Sequence, residues 1–69
     1  MEKDWIKVYA SSDFFKAEML RQKLEENEIE VVLMNKKDSS YQFGEVQLFV
    51  AETNFAQATE IIIQNNLNS

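Results

Sequence analysis

Cysteine, histidine and proline are all absent from this chain of 69 residues, and glycine occurs once. Without cysteine there is no disulfide framework, no thiolate metal site and no thiol nucleophile. Without histidine the commonest general base and the commonest metal ligand are missing. Carboxylates alone could hold a hard cation, but no spaced aspartate ladder of the calcium-loop kind is present. A metal, a cofactor and catalysis are therefore not expected. Basic charge is also scarce. Seven lysines and arginines stand against twelve acids, a formal net charge of −5, and an acidic surface is repelled by phosphate backbones and anionic membranes. No apolar run is long enough to span a bilayer. The charged start Met1-Glu2-Lys3-Asp4 does not read as a signal peptide, so a cytoplasmic location is expected.

What is present reads as one domain over residues 1–69, with an ordered core over about 4–66. A domain this small buries only about 60% of the surface its unfolded chain exposes, which leaves one thin core. Trp5 to Ala10 alternates, with Ile6 and Val8 on one side and Trp5, Lys7 and Tyr9 on the other, as a strand does. Ser11, Ser12 and Asp13 can each cap a helix, and Ser12 is the preferred cap. The helix runs to about Glu26, with Phe14, Ala17, Leu20, Arg21 and Leu24 on one side. Ile29 to Met34 reads as a second strand and Glu45 to Ala51 as a third. Thr53 or Asn54 caps a second helix reaching about Asn66, with Phe55, Ala58 and Ile62 turned inward.

The order β-α-β-β-α predicts an α+β, ferredoxin-like arrangement lacking its fourth strand. The sheet is three-stranded and antiparallel in the order 2-3-1, with both helices on one face. Its core comprises Ile6, Val8, Phe14, Ala17, Leu20, Leu24, Ile29, Val31, Leu33, Val46, Leu48, Val50, Phe55, Ala58 and Ile62. Each large side chain there contributes about 1.5–3 kcal/mol of burial, most of it offset by chain entropy.

Three features could carry function. The outer sheet face collects Trp5, Lys7, Tyr9, Val32, Met34, Gln47 and Phe49, where a solvated face would be polar, and such patches mark contact surfaces. Phe15 and Met19 form a second apolar pair on the first helix, four residues apart. The ten-residue connection Asn35-Lys36-Lys37-Asp38-Ser39-Ser40-Tyr41-Gln42-Phe43-Gly44 is long for a hairpin. Its ammonium and hydroxyl groups could hold a small anion. It could equally be structural, with Gly44 at a positive φ and Tyr41 or Phe43 packed on the sheet. The acidic run Glu25-Glu26-Asn27-Glu28-Ile29-Glu30 reads as solvated charge.

The stretch from Asn35 to Tyr41, followed by Phe43-Gly44, resembles the signature of a small bacterial family titled putative prokaryotic signal-transducing protein. Trp5-Ile6-Lys7-Val8-Tyr9, Ala17-Glu18, Leu24-Glu25-Glu26-Asn27 and Ala58 to Ile62 are similar to it too. The resemblance spans about residues 4–64 and implies a ferredoxin-like fold similar to that of PII-type regulators, with no ligand carried over. Where the family tends to have glycine this chain has Glu28, which moves the expected left-handed residue to Asn27. The function expected is a non-catalytic regulatory or interaction module acting through the apolar sheet face and the 35–44 loop. The alternative is a small-ligand sensor using Asn35, Lys36, Asp38, Ser39, Ser40, Tyr41 and Gly44. Nucleic acid and membrane are not expected partners. A protein partner or a homodimer is, the dimer forming through the free edge of the first strand and the face of Trp5, Tyr9, Val32, Met34 and Phe49.

Overall fold

A computed structural model describes residues 4–37 and 44–67. Strand β1 (Trp5–Ser11) leads to helix α1 (Phe14–Glu26), strands β2 (Val31–Lys37) and β3 (Gly44–Ala51), a 3₁₀ turn (Glu52–Asn54) and helix α2 (Phe55–Leu67). The sheet order is β1-β3-β2, with β3 antiparallel to both neighbours. Helix α1 packs across all three strands, and α2 packs on β1, β3 and α1. This is the α+β arrangement that the element order predicts.

The start of α1 is fixed by side chains one residue away from the expected cap. Asp13, in extended backbone, accepts the N–H of Lys16 at 3.1 Å. The hydroxyl of Ser11 in turn accepts the N–H of Asp13 at 2.9 Å. Ser12 is therefore not the cap. At the other helix, Thr53 and Asn54 directly precede the first residue of α2, Phe55. Both lie within the 3₁₀ turn, which runs directly into α2.

Strand β2 begins two residues later than expected. Ile29 donates its N–H to Leu24 at 3.0 Å, so it belongs to the turn that closes α1. The left-handed residue in that turn is Glu28, with φ 63°, while Asn27 stays at φ −95°. At its far end β2 outlasts the expectation, because Asn35, Lys36 and Lys37 pair with Val46, Glu45 and Gly44. The expected ten-residue connection thus gives Asn35, Lys36 and Lys37 to β2 and Gly44 to β3, which Gly44 opens without a positive φ.

The core lies between the helices and one sheet face. Leu24, Leu48 and Val50 are fully buried at its centre, joined by Leu20, Ile29, Ala58 and Ile62. Val8, Tyr9, Val31, Leu33 and Ile61 pack half-buried around them. Phe14 and Phe55 do not join this core and remain 47% and 41% exposed. Each is the first residue of its helix. Helical side chains lean toward the N-terminus, and neither has a preceding α-helical turn of its own helix to lie over. Arg21 takes the stripe edge, its guanidinium 2.6 Å from Glu18 and 3.1 Å from Glu25. The hydrogen bond to Glu18 leads in raising its pKa above the ordinary arginine value.

Candidate interaction face

Strand pairing decides what the second sheet face displays. Side chains directly opposite one another on paired strands share a face. Leu48 and Val50 face the core, so Gln47, Phe49 and Ala51 of β3 face away from it. Lys7 and Val32 lie opposite Phe49 from either side, Met34 lies opposite Gln47, and Trp5 lies opposite Ala51. Trp5, Val32 and Met34 are 40%, 38% and 43% exposed, and Phe49 is half-buried between its neighbours. Among the described residues no helix covers this face.

Tyr9 is not part of it. The β1–β3 register shifts between Lys7 and Tyr9. Val8 is the extra residue of a β-bulge, and a bulge reverses the alternation beyond it. Tyr9 consequently pairs with Leu48 and packs on the core, while Ala10 takes the outer position opposite Gln47. Strict alternation could not reveal this. The one sequence hint is the adjacent pair Val8-Tyr9, two large apolar residues that a bulge can turn to the same side.

The middle of the face is polar. Gln47 is buried on the central strand, and its amide donates to the Glu45 carboxylate at 2.6 Å. The partner satisfies a buried group that would otherwise cost about 1–3 kcal/mol. The open face is therefore an apolar surface with one fixed carboxylate–amide pair.

Phe15 and Met19 lie elsewhere, on the solvent side of α1, 73% and 51% exposed. With Asp13, Lys16, Leu20, Lys23 and Asn65 they line a groove of about 330 Å³. Of the candidate loop residues, Asn35 is exposed on β2, Lys36 lies in β2, and Gly44 begins β3. Asp38, Ser39, Ser40 and Tyr41, like Phe43, lie outside the described residues. The structure brings together Trp5, Val32, Met34 and Phe49, and it separates them from Tyr9 and from the Phe15–Met19 pair. Among the described residues no three acidic side chains gather to hold a metal ion, and no helix is long and apolar enough to cross a membrane.

The strands that build the open face and the helices behind it fall within one family match. The chain belongs to the family described as putative prokaryotic signal transducing protein, whose model matches residues 5–66. No curated protein and no solved structure matches it. For this member of the family, the match runs from the first residue of β1 almost to the end of α2.

Proposed function

We propose that this protein is a non-catalytic regulatory module that recognises a protein partner through its open sheet face. The observation that carries this reading is the cluster of Trp5, Val32, Met34 and Phe49 on the uncovered face. A two-layer α+β domain needs only one sheet face for its core. Large apolar side chains on the other add nothing to that core and favour association. The family's signalling description agrees with a module that acts by binding. Charge supplies orientation: Lys7 and Glu45 give charges of opposite sign at separate places on the face.

The test compares capture of binding proteins from native lysate by the wild type and by Trp5→Lys with Met34→Lys. Both positions are exposed, so the variant keeps its circular dichroism spectrum and a cooperative melt. Proteins retained by the wild type and lost from the folded variant support the reading. Equal capture by both, or capture by neither, overturns it.

A further inference from the structure

We propose that the partner of the open face is a protein segment that presents a carboxylate to Lys7, set among apolar side chains that seat on Trp5, Phe49 and Val32. This rests on the reading above and names the chemistry that its partner must bring. Lys7, Phe49 and Val32 lie directly opposite one another across the three strands. Trp5 precedes Lys7 by two residues on β1, on the same face. The ammonium therefore stems from within the apolar cluster. Two charges on this face differ in their surroundings. The Glu45 carboxylate, near the start of β3, is engaged by the Gln47 amide at 2.6 Å. Lys7 is exposed, and among the described residues its ammonium has no ion-pair partner. Among the described side chains of the strands it is also the only cation.

That placement selects the occupant. A partner that covers Trp5, Phe49 and Val32 must also cover the stem of Lys7. Taking a lone ammonium out of water is costly, and a cation on the partner would add repulsion. A purely apolar partner would lose at Lys7 part of what it gains on the rings. A carboxylate opposite Lys7 removes this cost, and its charge-assisted hydrogen bond is stronger in apolar surroundings than in water. One other arrangement competes with the pair. Strand β1 is an edge of the sheet, so Lys7 could turn its head past that edge into water while its stem covers apolar surface. The two arrangements differ in sign. Removing the charge weakens a paired complex, whereas it leaves unchanged or strengthens one in which lysine only reaches for water.

The test pans a phage-displayed library of random short peptides against the full chain, with Trp5→Lys plus Met34→Lys as counter-selection. Peptides kept by the wild type and rejected by that double variant bind the open face. Among them aspartate or glutamate flanked by apolar residues should be enriched. Synthetic copies are then titrated by the fluorescence of Trp5, the chain's one tryptophan. Lys7→Met should weaken their binding at least about tenfold, and Lys7→Arg should largely keep it. Replacing the peptide's acid by its amide should weaken binding to the wild type by as much and to Lys7→Met by little. Circular dichroism checks that each variant folds, and the exposed position of Lys7 permits its change. Open-face peptides without an enriched acid, or Lys7→Met binding undiminished or stronger, overturn the proposal and leave the reading of the open face standing. A wild type that selects no such peptide and sediments as a dimer, lost in the double variant, overturns it in favour of a second copy. Neither such a peptide nor such a dimer overturns both.

Discussion

Ile29 donates its backbone N–H to the carbonyl of Leu24 at 3.0 Å, and the side chains of both lie in the buried core. Inside this bond the N–H of Glu28 reaches the carbonyl of Glu25 at 2.9 Å. The two bonds together form the Schellman closure of a helix, with its apolar contact between the residues on either side. The residue inside the closure must be left-handed, and here it is Glu28, at φ 63°. A side chain with a Cβ is strained there by about 1–2 kcal/mol relative to the right-handed form, whereas glycine is not.

Glu28→Gly should therefore stabilise the domain by about 1 kcal/mol, after allowing for glycine's greater freedom when unfolded. It also removes a negative charge from the helix C-terminus, where the dipole disfavours one. In a domain of this size the gain corresponds to a rise of about 4–8 °C in melting temperature. Glu28→Val, branched at Cβ, should lower it. A glycine variant that melts at or below the wild type would show that Glu28 compensates its backbone strain through some other contact.

The second prediction concerns the opposite end of α1. Asp13 satisfies the N–H of Lys16 with its side chain and accepts the N–H of Ala17 at 3.1 Å with its carbonyl. Asp13→Ala should cost about 1 kcal/mol. Ser12→Ala, at a residue that caps nothing, should change stability by less than about 0.5 kcal/mol. Urea midpoints of the two variants decide this. Equal losses would mean that Ser12 takes over the cap in solution.

The element order, sheet order and single-sided helix placement were legible because each depends on long patterns. The 3.6-residue stripe of Ala17, Leu20 and Leu24 and the two-residue alternation of Val46, Leu48 and Val50 both average over several positions. Features set by one residue were not. Ser11, Ser12 and Asp13 can all cap, and only the backbone angles select Asp13. The end of β2 was hidden because Asn35, Lys36 and Lys37 are polar, yet an edge strand needs no apolar side chains to continue its backbone pairing. Of the candidate face, the β2 and β3 members were readable, since their register is unbroken. The β1 members were readable only up to the bulge.

That bulge gives the sharpest prediction, because it separates two adjacent residues by face. Tyr9 stands opposite Leu48 and packs on the core, while Ala10 stands opposite Gln47 and is exposed. Without the extra residue at Val8 the assignments would be exchanged. Tyr9→Lys places an ammonium among Leu48 and its neighbours, where burial of an unpaired charge is costly. Loss of the ring's contacts adds to this, so the variant should lose at least about 2 kcal/mol. Against a total of roughly 3–10 kcal/mol for a domain of this length, that is a large fall in the urea midpoint. Ala10→Lys should leave the midpoint nearly unchanged, because its side chain projects from the open face. Ala10→Tyr should also fold and should extend the aromatic surface beside Gln47. If Ala10→Lys proves the more damaging of the two lysine variants, β1 has no bulge in solution, and Tyr9 returns to the open face beside Phe49.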